Sequence, residues 1–118
     1  MKEGKEGSVP LYARFEKEMD IFTRHIKILS LIYRKSPIGI VRLSRETGLP
    51  KHKVRYSLKI LEKEGLIEAQ PVGAVAVEPA EKFLKNVHEL VSRFKKEFDT
   101  LERTIQLEMK IHEKKERG

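Results

Sequence analysis

Apolar residues recur along this chain at two rhythms, one helical and one of short extended runs. From Leu11 onward, Phe15, Met19, Phe22, Ile26, Leu29 and Ile32 follow one another at intervals of three or four. That spacing places them on one face of a helix. The pattern predicts a helix that starts after Pro10 and ends near Tyr33. Ser36-Pro37-Ile38-Gly39 then interrupts it, because proline removes a backbone donor and glycine relaxes the chain. Ile40, Val41 and Leu43 supply the apolar positions of a short second helix, closed by Thr47-Gly48-Leu49. Pro50 opens a third helix, with Val54, Leu58 and Leu61 facing inward and Lys51, His52, Lys53, Arg55, Tyr56 and Lys59 facing out. Gly65 stops that helix. Leu66 to Gln70 and Ala74 to Val77 are strand-like runs around the turn sequence Pro71-Val72-Gly73, so a small hairpin is expected. The fold class is therefore mainly α with a small β-hairpin.

Glu78-Pro79-Ala80-Glu81 reads as a helix start, and no proline or glycine follows before Gly118. At 1.5 Å per residue this last helix reaches about 55 Å. Leu84, Val87, Val91, Phe94, Phe98, Leu101 and Ile105 alternate spacings of three and four along it, which is the seam of a coiled coil. Past Ile105 the seam positions become Glu108 and His112, while Met109 and Ile111 fall off it, so the register weakens. The expected division is a disordered tail over 1–9, a domain over 10–78, and a long helix over 79–118 that dimerises through its seam. Parallel and antiparallel pairings both satisfy the pattern. The aromatic positions Phe15 and Phe22 would allow the first helix to join the interface.

Composition narrows the class. Charged residues make up 36% of the chain and hydrophobic ones 39%, enough to bury a core at a length that fits one domain with an appendage. No run approaches the roughly 18 apolar residues that span a bilayer, and the start Met1-Lys2-Glu3-Gly4-Lys5-Glu6-Gly7 has no apolar centre, so the expected location is cytoplasmic. Cysteine is absent, which removes disulfides, thiolate metal sites and thiol chemistry. The net charge of +7 is concentrated: Arg34 to Lys63 holds nine basic residues against Glu46 and Glu62, and the rest of the chain sums to zero. An excess confined to one segment marks a surface for a polyanion, with nucleic acid first in line.

The run Leu43-Ser44-Arg45-Glu46-Thr47-Gly48-Leu49-Pro50-Lys51-His52-Lys53-Val54-Arg55-Tyr56-Ser57-Leu58-Lys59-Ile60-Leu61-Glu62-Lys63-Glu64-Gly65-Leu66-Ile67 resembles the helix-turn-helix and first wing strand of winged helix-turn-helix regulators, broadly of the ArsR and MarR kind. The likeness extends from about Asp20 to Glu81. It implies a supporting helix over Ile40 to Thr47, a recognition helix over Pro50 to Lys63, and a wing over Glu68 to Val77. It also implies a homodimeric transcription regulator binding double-stranded DNA, with a repressor as the simplest form and a prokaryotic, archaeal source. Only three side-chain amides occur (Gln70, Asn86, Gln106), a composition like that of thermophile proteins.

A recognition helix enters the major groove and reads base edges from its N-terminal residues while flanking cations meet phosphate. On that basis Lys51, His52, Arg55 and Tyr56 are candidates for base edges, and Lys53, Lys59, Arg42, Arg45, Arg34 and Lys35 for phosphate. One departure stands out, because wings that touch DNA usually carry Arg or Lys and Glu68 to Val77 has neither. Little DNA affinity is expected from this wing.

The bland alternatives are specific. A basic helix face can be mere solvated surface, but here it coincides with the helix that the resemblance assigns to DNA. A winged helix can also act as a protein-interaction module on transcription machinery, through its apolar wing and long helix. Phe94 and Phe98 could line an effector pocket or simply be core. His25, His52, His88 and His112 lack ligand spacing, and no carboxylate pair, nucleophile set or phosphate-cradling glycine loop is evident. The reading is thus a non-enzymatic protein with no implied metal or cofactor, and with no effector that the sequence names.

Overall fold

The computed structural model describes residues 9–118. The expected tail therefore lies almost entirely outside the described residues. The elements run α1 (Ala13–Lys35), α2 (Ile40–Thr47), α3 (Lys51–Lys63), β1 (Ile67–Gln70), β2 (Gly73–Ala76) and α4 (Pro79–Arg117). Two compact units are present, with the boundary between Glu81 and Lys82. Among the described residues, no helix is long and apolar enough to cross a membrane.

In the first unit, α1 packs on α3, α2 and β2, while α3 packs on α2 and β1. The core comes from the C-terminal half of α1 (Ile28, Leu29, Leu31, Ile32), from Leu43 of α2, Val54 and Leu61 of α3, and Leu66, Ile67 and Ala74 of the hairpin. The long apolar stripe of α1 divides. Its C-terminal part enters this core, whereas Phe15 and Met19, with Leu11 just before the helix, remain exposed.

The α2–α3 turn is fixed by side chains as well as by its glycine. Gly48 adopts φ 75°, the left-handed conformation that closes a helix, and donates its N–H to the Ser44 carbonyl. Thr47 Oγ1 donates to the Leu43 carbonyl at 2.6 Å and accepts the Leu49 N–H at 3.2 Å, while Ser44 Oγ donates to the Leu49 carbonyl at 2.6 Å. The Ser44 carbonyl near the end of α2 and the Leu49 N–H and carbonyl in the turn thereby gain partners before α3 begins.

β1 and β2 pair antiparallel, with Ile67 opposite Ala76 and Gln70 opposite Gly73. The pairing continues one step outward, since the Val77 N–H donates to the Leu66 carbonyl at 3.1 Å. Ile38 adds a bridge on the other edge of β2, exchanging both backbone hydrogen bonds with Ala74 at 2.9 and 3.1 Å. Ser36 supports the same junction, donating from its hydroxyl to the Ile32 carbonyl and accepting the Ala76 N–H at 3.0 Å. Gly73 makes this approach possible. A Cβ there would stand 2.7 Å from the Ile38 carbonyl carbon, and φ is 134°.

In the second unit α4 continues as one helix to Arg117. Leu84 is partly exposed, Val87 is buried, and Val91, Phe94, Phe98, Leu101 and Ile105 are all exposed, Leu101 to 54%. The Phe94 and Phe98 rings lie against each other with centroids 6.2 Å apart.

Candidate nucleic-acid interface

The helix-turn-helix positions its candidate side chains by dividing α3 lengthwise. Val54, Ser57 and Leu61 are buried at spacings of three and four, which fixes the opposite face outward. Lys51, Arg55 and Lys59 fall in line at four-residue spacing on that outer side, with His52 and Tyr56 beside them, and all five are exposed. Lys53, also proposed from sequence to face out, is only partly exposed. Arg42 and Arg45 are exposed on α2, and Arg34 is exposed in the last turn of α1 next to a half-buried Lys35. The structure places all ten sequence-selected cations and ring side chains in the first unit.

The local field of α2 and α3 favours an anion. Both helices start without a side-chain cap and without an acidic residue in the first turn, at Gly39 and Pro50 respectively. Their positive poles thus add to the neighbouring basic side chains.

Two arrangements were not legible from the pattern. The first centres on Glu46, whose Oε1 accepts from Lys35 Nζ at 3.0 Å and whose Oε2 accepts from Arg42 Nε at 2.6 Å. The hydrogen bonds from Arg42 and then Lys35 hold its carboxyl below the usual carboxylate range. Arg42 and Glu46 are one helical turn apart, so that half of the cluster carried a sequence signal. Lys35 did not, because its approach depends on the angle between α1 and α2.

The second arrangement is a polar contact inside the α1–α3 interface. His25 Nδ1 lies 2.7 Å from the hydroxyl of Ser57, a residue with no exposed surface, and the His25 ring is 5.7 Å from that of Tyr56. Burial, and secondarily the Arg24 charge, lowers the His25 pKa from its ordinary 6.5. A serine at the inward spacing of α3 was the available signal, though nothing in the sequence paired it with His25.

The wing has a different character. Val72 at its tip is 70% exposed, and an open cavity of about 350 Å³ beneath it is lined by Ile38, Val41, Leu58 and Ala69, with Glu62 and Gln70 as polar members. Among the described residues no group of three or more metal-ligating side chains comes together. His112 instead lies 3.2 Å from Glu116 on the exposed end of α4.

This geometry, a short helix, a glycine turn, an outward basic helix and a hairpin edge-paired to the preceding loop, defines a winged helix-turn-helix. Residues 22–68 match a family model described as winged helix-turn-helix DNA-binding, so the chain carries a DNA-binding domain of that kind. The match runs from α1 into β1, and β2 and α4 lie beyond it. No curated protein matches the chain. The molecule is thus mainly helical, with a winged helix-turn-helix domain followed by a long C-terminal helix, and the DNA-binding description of the matched family supports DNA as a partner of that domain.

Proposed function

We propose that this protein is a homodimeric transcription regulator that binds a pseudo-palindromic duplex site and represses by occluding a promoter. The observation that carries the reading is the outward face of α3, where Lys51, His52, Arg55, Tyr56 and Lys59 are exposed opposite a buried Val54-Ser57-Leu61 ridge. A helix with this division fits the major groove, with Lys51, His52, Arg55 and Tyr56 at base edges. Lys53, Lys59, Arg34, Lys35, Arg42 and Arg45 serve phosphate. Neutralising about six phosphates per protomer makes affinity fall steeply with salt.

Support for a dimer comes from α4, where Val91, Phe94, Phe98, Leu101 and Ile105 expose one apolar line at seam spacing. With Leu84 and Val87 they form the proposed interface. Two half-sites are then expected about 10 or 20 base pairs apart between centres. Joining two weak half-sites supplies affinity that one wing-poor protomer lacks.

The test is fluorescence anisotropy on the gene's own upstream region and on random duplex, at about 50 and 200 mM salt. The expected result is tighter binding to the upstream region, steep in salt, and abolished by Lys51→Glu with Arg55→Glu. Unchanged binding in that double variant would remove α3 as the reading element. The exposed Val72 and Val41 favour a second reading, a protein-interaction module docking through the wing. Absence of any duplex binding at low salt would leave that reading in its place.

A further inference from the structure

Glu46 occupies an unusual position for an acidic residue. It is one of two carboxylates in the segment from Arg34 to Lys63, and it sits between two of the cations assigned above to phosphate. Each carboxylate oxygen takes one cation, Lys35 from the end of α1 and Arg42 from the first half of α2. A phosphodiester offers the same recognition chemistry, two unbridged oxygens sharing a negative charge, and Arg and Lys meet it with the donors they give to carboxylates. The side chains keep solvent access, with Arg42 46% and Lys35 32% exposed against 26% for Glu46. Ion pairs this exposed are weak enough to exchange partners.

We infer that Glu46 is a built-in counter-anion that occupies Lys35 and Arg42 in the free protein and is displaced from them by DNA phosphate. The inference rests on the DNA-binding reading and deepens it. Once displaced, the carboxylate stands beside the phosphates and holds a cation of its own. That cation offsets part of the counterion release from the DNA, so Lys35 and Arg42 together contribute less to affinity and to its salt dependence than their number implies. Glu46 thereby sets how tightly the protein holds DNA of any sequence, because phosphate contacts carry no sequence information.

The experiment uses the full chain and a random-sequence duplex, so no operator is required. Dissociation constants are measured between about 50 and 200 mM salt for the wild type, Glu46→Gln, Lys35→Ala with Arg42→Ala, and the triple variant. Thermal unfolding of each checks that it folds, and Glu46→Ala serves as a second removal of the charge. Glu46→Gln is expected to bind about fivefold more tightly at low salt, and to steepen the plot of log affinity against log salt by up to about one. In the background lacking Lys35 and Arg42 the same substitution is expected to change binding less than twofold, since no masked cation remains to be released. A gain of equal size in both backgrounds would reduce Glu46 to one unit of net charge and overturn the proposal. A loss of affinity in Glu46→Gln would overturn it too, by showing that the carboxylate orients the cations for phosphate. A wild type that binds no duplex would overturn the DNA reading itself, whereas a binding wild type with an indifferent Glu46→Gln overturns only the counter-anion.

Discussion

His25 and Gly73 each show one residue setting the behaviour of a larger element. His25 bonds the buried Ser57 hydroxyl and flanks Tyr56, so it ties α1 to the middle of α3. Its folded-state pKa lies below the ordinary 6.5 because burial disfavours the charged ring. The unfolded chain therefore binds a proton more readily than the folded one, and stability rises with pH. The contribution is fully present above pH 6.5 and is lost as pH falls through the lower folded value. Thermal unfolding at several pH values below and above neutrality is expected to show this dependence, and His25→Phe to flatten it. Truncation to His25→Ala leaves the Ser57 hydroxyl without this partner and is expected to cost about 1–3 kcal/mol in urea unfolding. At Gly73 a methyl group meets the Ile38 backbone under 3 Å and the φ of 134° disfavours any side chain. Gly73→Ala is expected to cost about 2 kcal/mol or more and to raise amide exchange at Ile38 and Ala74.

At the scale of elements, the α2–α3 turn decides how the basic face is presented. Thr47→Val removes a donor to Leu43 and an acceptor for Leu49 while keeping the side-chain shape. The expected loss is about 1 kcal/mol of stability, together with weaker DNA binding although every basic residue remains. These elements were largely readable in advance. The span Ile40–Thr47 emerged from Gly39 and Gly48 as punctuation, and α3 from Pro50 and Gly65. The ends of α1 and of both strands moved by a residue or two, for physical reasons. The first helix runs on to Lys35, just short of Ser36-Pro37, because nothing in Arg34-Lys35 stops it, and β2 begins at Gly73 because that residue pairs with Gln70 across the turn. Contacts between distant residues were not readable. His25 to Ser57, Lys35 to Glu46 and Ile38 to Ala74 depend on helix crossing angles and strand edges, which hydrophobic spacing does not encode. The outward basic face was accessible to sequence reasoning because burial of one side of a helix fixes the other. Which of its cations already had an internal partner was not.

For the whole molecule, the exposed seam of α4 makes assembly the natural test. Val91→Glu with Phe98→Glu places charge on the apolar line and is expected to yield monomers by light scattering, with the helical content of the first unit retained. The wild type is expected to show a melting temperature that rises with protein concentration, as for any fold linked to association. Binding to a two-half-site duplex should weaken in the variant by well over tenfold, while binding to a single half-site changes little. Dimers that persist in the variant would move the interface elsewhere, with the exposed Leu11, before α1, and Phe15 and Met19 of α1 as the next surface to alter.

The lengthwise division of α3 has a consequence for how such a protein diversifies. Val54, Ser57 and Leu61 carry its attachment to the core, while Lys51, His52 and Arg55 stand in solvent on the far side. Under the proposed reading, changes at those three exposed positions leave the buried ridge intact, so a lineage can exchange one DNA site for another without passing through an unstable ancestor. Tyr56 is the exception, since its ring lies beside His25. A shift in preference that enlists Tyr56 has to be negotiated with the interior, and that position is expected to drift more slowly than its neighbours.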